Sequence, residues 1–563
     1  MKRYTSAILS DFNAENFARY LNNDGDLPAV TTVTAPYGQV QQALIYDDHE
    51  IWQTEPDFAV IWTRPQGVIA SFNRLLQFEH VPLDTILSEV DEYSAQLQRV
   101  QHRVDFMFVP TWTVPTYELG IGMLDMRDEI GIANTLLRMN LRLIDNLRDC
   151  LNLYVLNSQH WIENAGKNAF HPKLWYMAKV PFGNDVFKEA VASIKSGLAS
   201  IAGKTRKLVV VDLDNTLWGG VVGDVGWEQL QLGGHDPAGE AYVDFQRALK
   251  GLAHRGIVLG IASKNEEATA LHAIQNHPEM VLTLDDFAHW KINWNDKAQN
   301  LIDLVSELQL GLDSVVFIDD NPVERARVRE ALPQVLVPEM PEDVMLYPKT
   351  LLSLRCFDKH LVTAEDSERT HMYVTDRQRN ALKSEVGSLD AWLDTLEITV
   401  KVQPLNPVTL PRAAQLLNKT NQLNLTTRRM TEIELMAWAK ANAFWTFSVS
   451  DKFGDSGLTG LLGIQLIDRK AKIVDFVLSC RVMGRKIEET LLAIAVAYAR
   501  SMQIDAIYAE YVPTLKNKPC LDFFMRSGFE YDSATNVFSW DCANQYPVPK
   551  QIVCQQEQVL VHE

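Results

Sequence analysis

Short, continuous apolar runs in the middle of the chain predict a buried sheet. Leu208–Val211, Gly256–Ala262 and Val315–Ile318 contain no alternating polar positions, and Pro333–Pro338 is a fourth, weaker run. Continuous apolar runs are typical of parallel strands that helices cover on both faces. The pattern predicts a Rossmann-like parallel sheet over residues 205–385, with amphipathic helices between the strands.

The first part of the chain has its own alternation of strands and helices. Tyr4–Leu9, Phe58–Trp62 and Val104–Val109 are predicted strands, and Ala14–Leu21 is a predicted helix. A helical pattern from Val186 to Leu198 ends this region near residue 200. We therefore expect a flavodoxin-like α/β domain over residues 1–198.

Beyond residue 390 the pattern changes to alternating strands with one apolar helix. The helix Glu488–Ser501 is apolar almost all round, which predicts that it is buried. This order predicts an α+β domain over 390–543, joined by a connecting helix at Ala364–Glu385 and followed by a polar, loosely ordered tail at 544–563. The predicted strands are Leu396–Val400, Trp445–Val449, Gly460–Leu466 and Lys472–Leu478.

Composition narrows the class of protein. The chain has 563 residues, 47% of them hydrophobic, so three or four cored domains are expected. A formal net charge of −19 disfavours nonspecific binding to nucleic acid or to anionic membranes. No apolar run reaches transmembrane length and no signal peptide is indicated, so a cytoplasmic protein is expected. The six cysteines lack metal-site spacing, so they are expected to be reduced thiols.

Acidic residues directly follow two of the central apolar runs. Asp212 and Asp214 follow the first, and Asp319 and Asp320 follow the third. Alternate residues of a strand point the same way, so these carboxylates would face one ligand only with their charge neutralised, most simply by Mg²⁺. A solvated Asp-x-Asp turn is the alternative interpretation of the first pair alone.

Hydroxyl, amide and ammonium groups follow the remaining runs. Ser263, with Lys264 and Asn265 after it, is suited to hydrogen-bonding a phosphoryl oxygen. Lys297 opens an amphipathic helix and offers an ammonium group to the same phosphoryl group, with Lys291 as the second choice. These residue types together predict metal-assisted phosphoryl chemistry.

The order of these pieces resembles the haloacid dehalogenase (HAD) phosphatases, and more closely the FkbH-like family. The resemblance covers nearly the whole chain. Its motifs are DLDNTLWGGVVGD at 212–224, SKNE at 263–266, INWNDK at 292–297, DDNPVER at 319–325, GDSGLTG at 454–460 and SCRVMGR at 479–485.

The HAD resemblance implies a role for each residue at the ends of the strands. Asp212 would be the nucleophile towards phosphorus, and Asp214 would protonate the leaving group and later activate water. Phosphate would be bound by Thr216, Ser263, Lys264, Asn265 and Lys297, and Mg²⁺ by Asp212, Asp214, Asp319 and Asp320. The short stretch Trp218–Asp224 predicts a tight flap and no inserted cap domain, which leaves room for a bulky or protein-borne substrate.

The FkbH-like resemblance implies a specific transfer reaction. Members of that family load a glyceryl unit from 1,3-bisphosphoglycerate onto the phosphopantetheine thiol of an acyl carrier protein, as in polyketide biosynthesis. Cys480 would attack this small phosphorylated acyl donor and hold the unit as a thioester. Ser479, Arg481 and the following helix predict a lowered pKa for the Cys480 thiol.

The terminal domains resemble two further folds. The C-terminal region resembles Gcn5-related N-acetyltransferases (GNAT), in which a turn at a helix N-terminus binds pantetheine phosphates; Arg481, Gly484 and Arg485 occupy the corresponding positions. The N-terminal region resembles SGNH hydrolases, but Ser10 lacks the neighbours of a nucleophile. We expect Ser10 to be a helix-entry residue in a non-catalytic domain.

Two other functions remain open from the sequence. One is a stand-alone phosphatase for a small metabolite, with the C-terminal domain as a binding module. The other, less favoured because all four HAD motifs are intact, is an acetyltransferase with a vestigial HAD domain.

Overall fold

The computed structural model of the protein describes residues 3–115, 117, 122–128, 130–360, 372–377, 379, 382, 386 and 388–556. The chain divides into two compact units, Met1–Ala202 and Gly203–Glu563. The first unit contains one sheet, and the second contains two.

The first unit is a five-stranded parallel sheet with the strand order β2-β1-β3-β4-β5. That order is the flavodoxin-like one, with apolar side chains buried on both faces of the sheet. Its strands are β1 Tyr4–Ser10, β2 Val30–Thr34, β3 Phe58–Trp62, β4 Phe106–Pro110 and β5 Leu153–Leu156. Its helices are α1 Glu15–Asn23, α2 Val40–Ile45, α3 Pro65–Val68, α4 Ala70–Leu76, α5 Leu83–Val100, α6 Ile132–Leu147, α7 Ser158–Ala165, α8 Pro172–Ala178 and α9 Asn184–Ile201.

The second unit begins with a four-stranded parallel sheet of order β8-β7-β6-β9. Its strands are β6 Leu208–Val211, β7 Val258–Ser263, β8 Phe287–Ile292 and β9 Val315–Ile318. The helices are α10 Val222–Val225, α11 Pro237–His254, α12 Glu267–Asn276, α13 Lys297–Glu307, α14 Pro322–Ala331 and α15 Tyr347–Leu352.

The helices of this sheet begin at caps that the sequence encodes. The Asp296 side chain accepts a hydrogen bond from the Ala298 N–H at 2.7 Å, which starts α13. The Asn321 side chain caps α14 in the same way, and Pro322 occupies the first helical position. Both caps lie just beyond the carboxyl ends of strands, so the polar residues next to them face one edge of the sheet.

A nine-stranded, mostly antiparallel sheet completes the second unit, in the order β16-β17-β15-β14-β13-β12-β10-β18, with β11 paired to β14. Its largest helix, Ile487–Ser501 (α19), is buried along most of its length, as predicted. The strands are β10 Ile398–Pro404, β11 Leu423–Asn424, β12 Ala443–Asp451, β13 Gly454–Ile467, β14 Lys470–Leu478, β15 Ala506–Glu510, β16 Glu530–Asp532, β17 Val537–Asp541 and β18 Ile552–Gln556. The helices are α16 Leu389–Leu396, α17 Leu410–Lys419, α18 Glu432–Ala441, α19 Ile487–Ser501 and α20 Lys518–Arg526.

The predicted α/β multidomain architecture is confirmed: an N-terminal flavodoxin-like domain, a HAD-type parallel sheet without a large cap and a C-terminal α+β domain. In the described part of the chain, no helix combines the length and the apolar character that a membrane crossing needs.

Two local predictions are wrong. Pro333–Pro338 forms a single bridge between Leu336 and Val316 in place of a full strand. The tail contributes β18, which pairs in parallel with β10, because the backbone of that edge strand offers hydrogen bonds that a polar tail segment satisfies. Most of the predicted helix Ala364–Glu385 lies outside the described residues, although residues 372–377 are helical.

A buried ion-pair network connects residues 376 and 379 to the C-terminal sheet. Arg379 donates to both carboxylate oxygens of Asp451, at 2.7 and 2.8 Å, and their side chains are 4% and 1% exposed. Arg485 pairs with Asp376 and lies 3.5 Å from Asp451. Asp451 therefore balances two buried guanidinium groups.

We expect the substitution Asp451→Asn to lower the free energy of unfolding by about 3–5 kcal/mol, because it leaves buried guanidinium charge without its partner. Denaturant unfolding followed by circular dichroism measures the change. Asp468→Asn is the matched control, since Asp468 is exposed and has a left-handed backbone that asparagine tolerates. Equal stability of the two variants would contradict this role for Asp451.

Candidate active site

Three carboxylates meet at the carboxyl edge of the HAD sheet. Asp212 directly follows β6, and Asp319 and Asp320 directly follow β9. One carboxylate oxygen from each residue lies within 4.8 Å of the other two. Asp212 and Asp319 are buried, so their charges must be balanced by nearby cations.

Lys297 supplies one such cation. Its Nζ lies 2.9 Å from Asp212 Oδ2 and 2.6 Å from Asp319 Oδ2, and the side chain is 4% exposed. Burial lowers the pKa of Lys297, but the two carboxylates more than offset this and the net pKa is raised. The second choice, Lys291, pairs with Glu307 at 2.7 Å instead. Lys297 is the lysine that the fold brings to the acidic cluster.

The remaining carboxylate oxygens suit a divalent cation. Asp212 Oδ1 is buried and has no hydrogen-bond partner among the described residues. Burial and repulsion by Asp212 raise the pKa of Asp319 to about 6, although Lys297 opposes the shift. An unpaired buried carboxylate oxygen beside two further carboxylates is the donor set that Mg²⁺ prefers. The residues present therefore fit a magnesium ion.

Asp214 is not among the three carboxylates whose oxygens come together, and its predicted place among the metal ligands stays a prediction. Its Oδ1 accepts hydrogen bonds from Trp218 Nε1 and the Val222 N–H, both at 3.0 Å, and its Oδ2 accepts one from Asn265 Nδ2 at 2.8 Å. The strand ends at Val211, so the same-side rule for alternate residues no longer holds at Asp214. Burial raises the pKa of Asp214, and repulsion by Asp212 adds to the shift.

A short flap brings Trp218 and Val222 to Asp214. Gly219 and Gln231 exchange two backbone hydrogen bonds, at 3.0 and 2.9 Å, and Gly220 has a φ of +100° that favours glycine. No inserted domain separates β6 from α11, since residues 212–236 form only this flap and short helical turns. No inserted cap domain therefore covers the site from this segment.

The predicted phosphate-binding residues have different surroundings. Ser263 is buried at the end of β7, at the same edge as the cluster. Thr216 Oγ1 accepts a hydrogen bond from the Asp320 N–H at 3.2 Å, so it positions that carboxylate. Lys264 pairs with Glu324 at 2.6 Å, and Asn265 contacts Asp214.

Sequence reasoning missed the role of Arg325. Its Nη1 donates to the backbone oxygens of Asp319 and Asp320, at 2.9 and 2.6 Å, and so holds the loop that carries both carboxylates. Arg325 is the last residue of the DDNPVER motif, so its place in that motif was the signal for it.

Cys480 is partly exposed at the end of β14, in a short 3₁₀ turn. Its predicted low pKa is wrong: burial raises the pKa of the thiol, and the opposing charges of Arg481 and Lys207 do not cancel this effect. In addition, α19 begins only at Ile487, so Cys480 does not lie at its N-terminus.

The turn before α19 is occupied by the protein's own side chains. The Gly484 N–H donates to Glu488 Oε1 at 2.7 Å, so this donor, predicted to bind phosphate, is already bonded. Arg485 pairs with Asp376, and Arg481 Nη1 lies 2.7 Å from the sulfur of Met372. Glu488 is itself buried, and burial raises its pKa to about 7.

Comparison with known proteins supports the phosphatase part of this description. The chain is similar to the crystallised N-terminal part of protein BF1531 from Bacteroides fragilis, described as containing a phosphatase domain complexed with Mg. The identity is 28% and the TM-score 0.58, over 64% of this chain and 95% of that chain. The similarity and the geometry agree in identifying a HAD-type phosphatase domain.

Two weaker matches are acetyltransferases. The PaiA N-acetyltransferase from Thermoplasma acidophilum, in complex with coenzyme A, is 15% identical with a TM-score of 0.21, over 25% of this chain and 98% of that one. The ribosomal-protein-S18-alanine N-acetyltransferase from Escherichia coli is 8% identical with a TM-score of 0.20, over 25% and 94%. These TM-scores are too low to support an inference. No protein-family model and no curated protein matches the chain.

Replacing Lys297 by methionine is expected to reduce phosphatase activity by about 10²–10³-fold, because it removes the buried charge that faces the transferred group. Hydrolysis of p-nitrophenyl phosphate measures the loss. Lys291→Met, a change of the same size and charge next to Glu307, is expected to retain most of the activity. Equal losses in the two variants would refute the assignment of Lys297.

Proposed function

We propose that this protein transfers a glyceryl unit from 1,3-bisphosphoglycerate to the phosphopantetheine thiol of an acyl carrier protein and removes the 3-phosphate at the HAD site. The observation that carries the phosphatase part is the buried carboxylate of Asp212. One of its oxygens is paired with Lys297, and the other has no partner among the described residues.

Magnesium would be held by Asp212, Asp319 and Asp320, and would supply charge neutralisation for the phosphoryl oxygens. Asp212 attacks phosphorus, and the bond from phosphorus to the substrate oxygen breaks with its electron pair on that oxygen. Asp214 gives its proton to the leaving oxygen. It then takes a proton from the water that attacks phosphorus, and phosphate is released from Asp212.

The environment of Asp214 supports this division of roles. Its raised pKa favours a carboxylic acid that can donate a proton, whereas Asp212 lies 2.9 Å from the ammonium group of Lys297. Two carboxylates in different surroundings can therefore act as acid and nucleophile at one pH.

Cys480 is the proposed acyl carrier within the chain. Its sulfur attacks the carbonyl carbon of the acyl phosphate, a carbon–sulfur bond forms, and phosphate leaves with the electrons of the carbon–oxygen bond while the thiol proton passes to solvent. The carrier's thiol then takes the acyl group by the same kind of exchange. The family motif at 479–485 and the partial exposure of Cys480 support this step.

A stand-alone phosphatase is the second candidate. The raised pKa of Cys480 and the occupied turn at Gly484 and Arg485 favour a C-terminal domain that only binds. Incubation with 1,3-bisphosphoglycerate followed by intact mass measurement distinguishes the two functions. A covalent adduct on Cys480 supports transfer, and its absence supports the stand-alone phosphatase.

With an activated ester as substrate, the variant Asp214→Asn is expected to keep the first step, transfer of the phosphoryl group to Asp212, but to lose steady-state turnover. A nitrophenolate leaving group needs no proton, so a burst of about one nitrophenolate per protein should precede a rate at least about 10²-fold below wild type. Rapid-mixing absorbance measures the burst. Full steady-state turnover in this variant would contradict the assigned role of Asp214.

Removal of either nucleophile is expected to abolish its own reaction and leave the other reaction intact. Cys480→Ala should abolish the adduct and carrier loading but keep hydrolysis of p-nitrophenyl phosphate, and Asp212→Asn should do the reverse. Cys554→Ala, which removes an exposed cysteine of β18, is the matched control and should keep both. Normal carrier loading by Cys480→Ala would show that the acyl group does not visit this thiol.

The rate of adduct formation is expected to rise with pH. The pKa of the Cys480 thiol lies above its ordinary value of 9.0, so at neutral pH the thiolate is a small fraction that grows about tenfold per pH unit. Adduct mass at short times between pH 7 and 9 measures the trend. A rate that is flat over this range would mean that the reactive thiolate forms at lower pH.

A further inference from the structure

The two proposed reaction centres lie at opposite edges of the HAD sheet. The acidic cluster stands at the carboxyl edge, because Asp212 follows β6 and Asp319 follows β9. All four strands are parallel, so their amino ends share the other edge. Contacts of Cys480 and its neighbours point to that amino edge.

Lys207 marks the amino edge of the sheet. It directly precedes β6, and its backbone N–H donates to Ser314 O, just before β9, at 2.8 Å. The charge of Lys207 lowers the pKa of the Cys480 thiol, against the larger effect of burial, and this agrees with a thiol on the Lys207 side of the sheet.

The segment at residues 372–377 provides a second, independent line of evidence for this position. Asp376 pairs with Arg485, and the sulfur of Met372 contacts Arg481, so this segment lies against the turn that contains Cys480. Arg377 Nη1 donates to the carbonyl oxygen of Phe287, the first residue of β8, at 3.1 Å. These contacts therefore hold the turn near the amino ends of the strands.

The separation follows from the geometry of the elements. Lys207 and Asp212 are five residues apart along an extended strand, about 16 Å. Helix α13 gives a similar value: Lys297 begins it at the acidic cluster, and Glu307 ends it beside a cavity that Asp376 and Arg377 also line, about 15 Å away. A three-carbon unit with its phosphate spans less than two extended residues, about 7 Å.

From this separation, and on the basis of the proposed function, we infer that phosphoryl removal and thiol capture are separate binding events. A phosphate that enters on the acyl unit stays on it for as long as the unit is bound to Cys480. The phosphomonoester is cleaved only on a unit that is free or attached to an arm longer than the separation, such as the carrier's phosphopantetheine.

The buried pairs around Asp451 support this inference, because they join the same segment to the C-terminal sheet. Arg379 and Arg485 both contact Asp451, and all three side chains are almost fully buried. Cys480 could reach the carboxyl edge only if these ion pairs, or the hydrogen bond from Arg377 to Phe287, were broken.

A single-turnover experiment tests the inference on the full-length protein. The wild-type protein is loaded with 1,3-bisphosphoglycerate in excess chelator, freed of donor by desalting and then given Mg²⁺. The adduct is expected to keep the mass of its phosphoryl group during a period in which the same sample hydrolyses p-nitrophenyl phosphate many times. Loss of one phosphoryl mass from most of the remaining adduct in that period would overturn the inference.

Controls separate this result from failure of the proposed function. Asp212→Asn, loaded in the same way, gives the reference mass and the spontaneous rate, and Asp214→Asn replaces it if that variant does not fold. Addition of holo carrier to the loaded wild-type protein should release the phosphate, whereas apo carrier should not. If no adduct forms in chelator, the proposed thioester step itself is wrong. If an adduct forms and loses its phosphate without a carrier, only the separation is wrong.

Discussion

The contact of the Lys297 ammonium with Asp212 and Asp319 is the interaction on which the HAD site depends. It joins the ends of β6 and β9 to the first turn of α13, and every member of the triad is buried. Two buried carboxylates without this cation would repel each other and would lose their hydration without compensation. The same charge that allows the site to fold therefore lies directly beside the carboxylates of the proposed phosphatase site.

Around this triad the chain gives each neighbouring carboxylate a different environment. Asp320 is positioned by Thr216 and by Arg325, which hold its backbone, whereas Asp214 is fixed by the flap and by Asn265. The hydrogen bonds to Asp214 keep it out of the acidic cluster while burial raises its pKa. The site thus separates a group suited to proton transfer from groups suited to a cation, although all are aspartates within a few residues of strand ends.

The C-terminal domain uses similar charges for a different purpose. Arg485 and Arg379 form buried ion pairs with Asp376 and Asp451, respectively. Glu488 accepts a hydrogen bond from the backbone N–H of Gly484. These contacts fix the turn after Cys480 and join it to the segment that contacts β8. Rigidity of this turn and its distance from the acidic cluster have the same origin.

The sequence by itself predicted many of the strands, because continuous apolar runs such as Leu208–Val211 and Val315–Ile318 are typical of parallel strands that are buried on both faces. It also indicated that Asp212 and Asp319 would share one site. Tertiary structure decided which residues become partners. Lys297, and not Lys291, reaches the acidic cluster, and Asn265 contacts Asp214 from 51 positions away. Burial also raises the pKa of the Cys480 thiol, which lies towards the other edge of the sheet. Local pattern encodes which residues are buried and where a strand ends. Charge balance, hydrogen-bond partners and distances between sites depend on segments far apart in the chain, and only the packed fold brings them together.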